Sequence, residues 1–258
     1  MDGTLWSGQE RVHPATARAL SAWGDGPRLM FATGRRPASA RRGLDPLGFA
    51  GPLVTMNGAV GTDVPGGREW HRRAFSAEEA ATLWRSLDAA RLRPVVYVCD
   101  ANTDVVIPAH CATSPAHLAG FARPVPADPR APMAAGTVIA FALCGIDGDA
   151  WARAESVAHA LASQASVHLG PDATFGGGWL AIAPKAVTKR TAVERWCIAR
   201  GIAASEVLAV GDGGNDEALL AWAGVSVAVR GSACARAGAD HVIPPPDEGG
   251  WAQLLELR

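Results

Sequence analysis

Short apolar runs alternate along the chain with longer stretches of helical periodicity. The runs that are long enough for buried strands lie at residues 28–32, 53–56, 179–183, 207–210, 225–229 and 241–243. Helical patterns fill most of the intervals, for example at residues 14–23, 189–199 and 215–222. Continuous apolar strands that alternate with helices are typical of parallel sheets covered on both faces. The pattern therefore predicts an α/β fold built around such a sheet.

The pattern changes in the middle of the chain. Ser76 followed by Glu79 has the form of a capping box, which predicts a helix that runs to about residue 91. The later segments are strand-like runs at residues 95–98, 105–107, 138–143 and 167–169, a proline-rich loop at 123–132 and a helical stretch at 149–163. We interpret residues 76–178 as an inserted α+β domain and residues 1–75 and 179–258 as the core domain. One continuous large sheet is the alternative.

Two aspartates follow the apolar run at residues 207–210. Asp212 and Asp216 stand in a glycine-rich turn directly before a helical stretch. Ligands of open α/β sheets bind outside the carboxyl ends of the strands, so both carboxylates are expected at a binding site. Two carboxylates repel a bare phosphate, but Mg²⁺ binds one or two protein carboxylates together with phosphate oxygens. The sequence therefore predicts a Mg²⁺-dependent phosphate site, with Asp212 as a metal ligand and Asp216 as a ligand or an outer-shell residue.

Other polar residues also lie at predicted strand ends. Thr33 and Asn57 directly follow apolar runs, and Lys189 follows another run after a short loop. A hydroxyl group, an ammonium group and two carboxylates suit phosphoryl transfer, in which the protein positions the phosphoryl group and neutralises its charge. Lys189 and Lys185 are the only lysines among 24 basic residues, and an arginine would present a forked geometry instead of a point charge. We expect Lys189 to bind phosphate and Lys185 to lie at the surface.

The same residues also have simpler structural interpretations. Thr33 could cap the helix that begins near Pro37, and Asn215 could cap the helix that follows it. Arg35 and Asn57 could contact the substrate or could only fix their turns. These alternatives stay open at the level of the sequence.

Composition narrows the classes of partner. With 258 residues, 48% of them hydrophobic, and a formal net charge of −1, the chain is predicted to be globular and to lack a broad basic face for nucleic acid or anionic membranes. The five scattered cysteines do not suggest a disulfide framework. No run reaches the ~20 apolar residues of a membrane span. We expect a cytoplasmic monomer or homodimer that binds a small anion.

Five short motifs occur in the order and spacing of the haloacid dehalogenase superfamily. They are Asp2-Gly-Thr-Leu5, Thr33-Gly34-Arg35, Asn57-Gly58, Lys189 within residues 186–190, and the glycine-rich turn at residues 211–216. The chain most resembles the Cof-type subfamily IIB phosphatases, and the resemblance covers essentially its whole length. It implies a Rossmann-like parallel core, an inserted cap domain that sets substrate specificity, and Mg²⁺ as the cofactor.

The resemblance also implies roles for individual residues. Phosphatases of this family form an aspartyl-phosphate and then hydrolyse it, with a second aspartate two positions after the nucleophile acting as acid and base. Asp2 matches that second aspartate, and its backbone carbonyl would also bind the metal. Thr33 and Lys189 would bind the transferred phosphate. The residues expected to face the substrate, a sugar phosphate or a nucleotide-like phosphomonoester, are Gly34, Arg35, Asn57 and Asn215.

The first motif departs from the family pattern at its start. The nucleophilic aspartate is expected two positions before Asp2, whereas Met1 is the only residue that precedes Asp2 in the printed sequence. An apolar strand precedes every other motif, but residues 1–258 contain none before Asp2. We expect the chain of 258 residues to have little or no phosphatase activity. A start placed too late on an ordinary enzyme, a natural pseudoenzyme and an enzyme with another nucleophile remain open.

Two further functions compete with a phosphatase. Gly211 and Gly213, between a predicted strand and helix, partly resemble a dinucleotide-binding fingerprint. Asp216 takes the place of the third glycine, and Arg230 stands where an acid is expected, so the match is incomplete. A non-catalytic protein that binds phosphate or metal is the other alternative.

Overall fold

The structure is a computed structural model, and it describes residues 1–7, 11–23, 29–99, 103–121, 127–172 and 175–257. The chain divides into two compact units. The first comprises Met1–Arg72 and Thr188–Arg258, and the second comprises Arg73–Val187. None of the helices in the described residues is long and apolar enough to cross a membrane.

The helices and strands alternate along most of the chain, as the hydrophobic pattern predicts. The helices are α1 (Pro14–Trp23), α2 (Pro37–Leu44), α3 (Ala77–Ala89), α4 (Pro115–Ala119), α5 (Arg130–Ala134), α6 (Gly148–Leu161), α7 (Lys189–Ile198), α8 (Glu217–Leu220) and α9 (Ala233–Arg236). The strands are β1 (Phe31–Ala32), β2 (Gly51–Thr55), β3 (Val60–Val64), β4 (Glu69–Arg72), β5 (Val95–Val98), β6 (Val105–Val106), β7 (Val138–Ile146), β8 (Ala165–Pro171), β9 (Gly178–Pro184), β10 (Leu208–Gly211), β11 (Val225–Val229) and β12 (His241–Ile243).

The first unit contains two separate sheets. One has the order β1-β2-β3-β4, and its β1 and β2 are parallel, with Phe31 opposite Leu53. The other has the order β10-β11-β12, and all its strands are parallel. The parallel α/β core expected from the sequence is therefore present, but its strands are divided between two sheets. Apolar residues from both parts of the chain pack together around Leu5, Leu53 and Val227, which are at most 1% exposed.

The hairpin formed by β3 and β4 is absent from the sequence-based prediction. Its strands pair antiparallel with each other, and β3 also pairs antiparallel with β2. The apolar runs of this segment are short and interrupted by charged residues, so they do not show the continuous apolar pattern of buried parallel strands. The C-terminal segment Gly250–Leu257 forms a 3₁₀ helix.

The second unit has a mixed α+β architecture. Its sheet has the order β6-β5-β7-β9-β8, and its paired strands are antiparallel. The predicted capping box is confirmed: Ser76 Oγ accepts a hydrogen bond from the backbone N–H of Glu79, and the Glu79 carboxylate accepts one from the backbone N–H of Ser76. The helix that begins there packs its buried face, including Leu83 and Leu87, onto the core of this unit.

One strand lies in a different sheet from the one expected. Residues 179–183 were predicted to return the chain to the core, but β9 lies between β7 and β8 in the sheet of the second unit. Its apolar residues face a buried core in either arrangement, so hydrophobicity alone does not specify the partner strands. The chain returns to the first unit at Thr188, nine residues after the predicted boundary at residue 179.

The predicted loop at residues 123–132 lies partly outside the described residues, since residues 122–126 are not described. The described part contains the start of α5, whose Met133 is 3% exposed. Met133 belongs to the hydrophobic core of the second unit.

Candidate functional site

The carboxyl ends of β1 and β10 carry most of the predicted site residues. Thr33 follows β1 directly, and Asp212 follows β10 directly. Residues 1–6 lie over both ends, because the Thr4 hydroxyl donates to Asp212 Oδ1 at 2.7 Å and Arg35 Nε donates to Asp2 Oδ2 at 2.7 Å. The structure therefore brings three separate sequence motifs together within the first unit.

Lys189 and Asp216 form a buried ion pair at the base of the site. Lys189 Nζ lies 2.7 Å from Asp216 Oδ1, and the side chains are only 6% and 9% exposed. Burial by itself raises the pKa of Asp216, but the charge and hydrogen bond of Lys189 hold the pKa below its usual value. Asp216 Oδ2 accepts hydrogen bonds from the backbone N–H groups of Asp212 and Gly213, at 3.1 and 3.2 Å. Asp216 thus fixes both the lysine and the turn that carries Asp212.

The position of Lys189 also follows from its helix. Lys189 is the first residue of α7, and the Thr188 hydroxyl caps this helix by accepting from the backbone N–H of Thr191. The N-terminus of a ten-residue helix carries a partial positive charge that favours an anion nearby. The lysine charge and the helix end therefore reinforce each other.

Asp212 is the least tightly held of the site carboxylates. Burial raises its pKa, and the neighbouring carboxylate of Asp216 raises it further, while the hydrogen bond from Thr4 opposes the change. In the described part of the chain, its Oδ1 accepts from Thr4, and its Oδ2 has no hydrogen-bond partner. A cation beside this oxygen would offset the repulsion between the two carboxylates.

Asp2 is held in its charged form by two donors. Arg35 donates to both of its carboxylate oxygens, and Trp6 Nε1 donates to Oδ1 at 2.9 Å. Burial acts to raise the pKa of Asp2, but these hydrogen bonds and the guanidinium charge bring it below the usual value. Arg35 also lies over the ring of Trp6, with its Cζ 5.2 Å from the ring centroid. In this arrangement Asp2 can accept a proton but has none to donate.

The turns at Thr33 and Asn57 pack against each other. The backbone N–H of Asn57 donates to the carbonyl of Thr33 at 3.0 Å, and Thr33 Oγ1 accepts from the backbone N–H of Arg35 at 3.1 Å. Thr33 does not cap α2 with its side chain, because the capping position is Arg36 and no side chain caps it. Asn57 Oδ1 accepts from Asn215 Nδ2 at 2.9 Å, so this pair links the two sheets of the unit.

Two glycines permit close approaches at the site. A Cβ at Gly3, whose φ is +69°, would lie 2.1 Å from Asp212 Oδ2. A Cβ at Gly58, whose φ is +110°, would lie 2.1 Å from the carbonyl oxygen of Thr188. Only glycine tolerates both the positive φ and the missing space. Gly3 therefore lets the first loop close onto Asp212, and Gly58 lets the Asn57 turn approach the start of α7.

Sequence reasoning missed two residues that hold the site together. Thr4 orients Asp212, and Trp6 orients Asp2. Thr4 is part of the first motif, so its position in the sequence could have identified it as a site residue. The role of Trp6 could not be predicted from the sequence, because the spacing of residues does not show that its indole N–H donates to a residue four positions earlier.

The donor set fits a magnesium ion that is shared with a phosphate. Among the described residues, no group of three histidine, cysteine or acidic side chains could hold a metal by itself. Mg²⁺ does not need such a cage, because it is usually held by one or two carboxylates plus phosphate oxygens and water. Asp212 offers an oxygen without a partner beside the backbone of Gly3, whereas both oxygens of Asp216 are engaged. The fit favours Asp212 as a direct ligand and Asp216 in the outer shell.

The two lysines should differ sharply in reactivity towards acetic anhydride. Lys185 is exposed and donates to the backbone carbonyl of Ser163, whereas Lys189 is buried and paired with Asp216. At a low dose of reagent, mass spectrometry of the folded chain should show at least about tenfold more acetylation at Lys185 than at Lys189, because the reagent cannot easily reach a buried amine that is paired with a carboxylate. The denatured chain, in which both lysines are exposed, is the control. Equal modification of the two lysines in the folded chain would contradict the buried ion pair.

A model of the haloacid dehalogenase-like hydrolase family matches residues 1–255. No protein in a curated set matches. The chain is similar to a solved haloacid dehalogenase subclass IIB sugar phosphatase, with 22% identity, a TM-score of 0.76, and coverage of 100% of this chain and 96% of the other.

Two further solved structures show the same fold. A phosphatase of this superfamily from Bacteroides thetaiotaomicron is 22% identical, with a TM-score of 0.75 and coverage of 100% of this chain and 92% of the other. A protein from Thermotoga maritima is 18% identical, with a TM-score of 0.78 and coverage of 100% and 94%. At these identities the likeness establishes the fold, and the family match covers nearly the whole chain.

Proposed function

The chain belongs to the haloacid dehalogenase-like hydrolase family, and on this premise we propose that its site is that of a Mg²⁺-dependent phosphatase. One observation carries the proposal. The buried Lys189–Asp216 pair, the Asp212 carboxylate and the Thr33 turn lie together at the carboxyl ends of parallel strands. Phosphoryl transfer needs this combination, because catalysis consists mainly of positioning the phosphoryl group and neutralising its charge.

Lys189 and Thr33 are the proposed phosphate ligands. Lys189 offers three donors on a compact charge, of which one is used by Asp216. The Thr33 hydroxyl accepts from Arg35, which leaves its own O–H to donate to a phosphate oxygen. The N-terminus of α7 adds a partial positive charge on the same side. Together they hold the phosphoryl group against the carboxylates.

Asp212 is the proposed direct ligand of Mg²⁺, with the backbone carbonyl of Asp2 beside it. When bound, Mg²⁺ supplies charge to the phosphate oxygens and offsets their repulsion by the carboxylates. Asp216 keeps the turn at Asp212 in place, because its carboxylate accepts hydrogen bonds from the backbone N–H groups of Asp212 and Gly213. Thr4 orients the Asp212 carboxylate.

Asp2 is the proposed acid and base. In its charged form it can take a proton from an attacking water, which is the second half of the reaction. Donation of a proton to the leaving oxygen requires that Arg35 first release one carboxylate oxygen. Arg35 is therefore proposed to act on Asp2, in addition to the substrate contact expected from the sequence.

The nucleophile of the proposed reaction is not among residues 1–258. In the family pattern it lies two positions before Asp2. The described carboxylates of the site already have other partners: Asp2 is held by Arg35, Asp216 by Lys189, and Asp212 by Thr4. We therefore propose that the chain of 258 residues binds Mg²⁺ and phosphate but turns over phosphate esters poorly or not at all.

We propose the second unit, Arg73–Val187, as the cap that selects the substrate. The proposed substrate is a small phosphorylated metabolite such as a sugar phosphate, a class that the similar subclass IIB sugar phosphatase supports. A non-catalytic phosphate-binding protein is the second candidate, and the double hydrogen bond of Arg35 to Asp2 favours it. The dinucleotide-binding alternative is not retained, because Asp216 occupies the third glycine position and pairs with Lys189.

Binding of Mg²⁺ can be measured on the chain of 258 residues without any turnover. Asp212→Asn removes the proposed direct ligand and should weaken Mg²⁺ binding at least about tenfold in calorimetry with inorganic phosphate present. Thr4→Val should weaken it by about 10-fold, because the loss of an orienting partner typically costs 10–100-fold in metal affinity.

The matched control is Asp247→Asn, which removes one exposed carboxylate elsewhere in the same unit. It should leave the affinity unchanged. Equal Mg²⁺ affinity of the Asp212→Asn variant and the unmodified chain would remove Asp212 from the metal site and with it the proposed function.

A further inference from the structure

The thiol of Cys234 contacts the glycine-rich turn that carries Asp212. Its Sγ lies 3.2 Å from the backbone carbonyl oxygen of Gly213. A carbonyl oxygen can only accept a hydrogen bond, so the thiol is the donor. Gly213 directly follows Asp212 in the chain. The thiol therefore acts on the residue next to the proposed metal ligand.

The position of this thiol is fixed by its surroundings. Cys234 is 2% exposed and lies in α9, which follows β11. The Ser232 hydroxyl caps the start of α9 by accepting from the backbone N–H of Ala235 at 3.2 Å. Cys234 also belongs to the same apolar cluster as Ala209 of β10 and Ala228 of β11. The donor is therefore packed against the sheet that carries the turn.

Cys234 and Asp216 hold different groups of the turn. The Asp216 carboxylate accepts from the backbone N–H groups of Asp212 and Gly213. The Gly213 carbonyl accepts from the backbone N–H of Asp216 at 2.8 Å as well as from the thiol. Asp216 belongs to the turn itself, whereas Cys234 comes from a separate element. Because glycine leaves the backbone free to adopt many conformations, a donor from outside the turn restricts the peptide that follows Gly213.

We propose that Cys234 is a positioning residue of the metal site. Its thiol proton fixes the Gly213 carbonyl, and the turn held in this way keeps the Asp212 carboxylate in place for Mg²⁺. This role rests on the proposed function, in which Asp212 is the direct metal ligand. It requires a hydrogen-bond donor at position 234, and it requires neither a thiolate nor a bond between sulfur and the metal.

A second cysteine provides a matched control for the loss of packing. A buried side chain also fills space, and its truncation leaves a cavity wherever the side chain lies. Cys197 is 4% exposed and belongs to the same apolar cluster as Cys234, but it lies in α7 and outside the glycine-rich turn. Cys197→Ala and Cys234→Ala remove the same sulfur atom and should lower Tm by similar amounts.

Amide exchange of the metal-free chain tests whether the thiol holds the turn. In Cys234→Ala, the backbone amides of residues 212–216 should exchange about 3- to 10-fold faster, which corresponds to the net contribution of one hydrogen bond. Cys197→Ala should leave the exchange of these amides unchanged. Cys234→Ser should recover most of the protection, because a hydroxyl restores the donor.

Calorimetry with Mg²⁺ in the presence of inorganic phosphate tests the consequence for the metal site. Cys234→Ala should weaken Mg²⁺ binding by about 3- to 10-fold, and Cys234→Ser should keep the affinity within about twofold of the unmodified chain. Cys197→Ala should bind Mg²⁺ as the unmodified chain does. A role in packing alone would not produce this difference between the two alanine variants.

Equal exchange of residues 212–216 in the two alanine variants would overturn the positioning role, and so would a Cys234→Ser chain that behaves like Cys234→Ala. The Asp212→Asn variant separates this failure from a failure of the proposed function. If Asp212→Asn weakens Mg²⁺ binding and Cys234→Ala does not, only the role of Cys234 is wrong. If neither substitution changes the affinity, the proposed function fails at Asp212, and the role of Cys234 in the metal site fails with it.

Discussion

The Asp216→Ala substitution should lower the free energy of unfolding by about 3–5 kcal/mol, since it leaves the buried ammonium of Lys189 without its partner. The carboxylate also accepts from the backbone N–H groups of Asp212 and Gly213, and both would lose a partner as well. Equilibrium unfolding in urea, with ellipticity as the signal, measures the change. The exposed Asp247→Ala should change the free energy by no more than about 0.5 kcal/mol.

A double variant separates the ion pair from other causes of instability. Adding Lys189→Met to Asp216→Ala removes the unpaired buried charge while keeping a long apolar side chain. The double variant should therefore be more stable than Asp216→Ala alone. If the two effects simply add, so that the double variant is the less stable one, Lys189 and Asp216 do not form the coupled pair that anchors the site.

The helices and strands of both units were predictable where the hydrophobic pattern is regular. The helices that begin at Pro14, Pro37 and Lys189 lie where the sequence predicts them, and so do β5, β11 and β12. The clustering of polar residues at strand ends also followed from the sequence, because parallel strands place their carboxyl ends at one edge. Thr33 and Asp212 directly follow β1 and β10, as the apolar runs of the sequence predict.

The partners of each strand were harder to predict. The apolar run that became β9 looks the same whether its neighbours belong to the first or the second unit, and it was assigned to the wrong one. Pairing depends on long-range contacts that a local pattern does not encode. The β3–β4 hairpin was not predicted at all. Its strands are short and contain charged residues, so they lack the continuous apolar run that indicates a buried strand.

The details of the site show a similar limit. That Lys189 faces the site was inferable from the rarity of lysine, but its pairing with Asp216, 27 positions away, was not. From the sequence, Arg35 was expected to contact the substrate or only to fix its turn. The structure shows that Arg35 also binds Asp2. Spacing identifies which residue types converge, whereas the hydrogen-bond partners depend on the packed geometry.

The largest effect on activity should come from an acid placed two positions before Asp2. A chain extended by four apolar residues and an aspartate should hydrolyse p-nitrophenyl phosphate with Mg²⁺ at least about 10³-fold faster than the same chain with asparagine at that position. The added acid is expected to lie near Asp212 and Lys189, because Asp2 and Thr4 already contact the residues that follow β1 and β10. Asparagine has the same shape but cannot attack phosphorus, so the two chains differ only in the nucleophile.

The most direct test of the central claim is this pair of rates, measured with Mg²⁺ and again with an excess of chelator. The account predicts rapid, chelator-sensitive release of p-nitrophenol by the aspartate chain, and little release by the asparagine chain or by the chain of 258 residues. Equal rates for the aspartate and asparagine chains, or a rate that the chelator does not change, would contradict a Mg²⁺-dependent phosphatase site built from Asp2, Thr33, Lys189, Asp212 and Asp216.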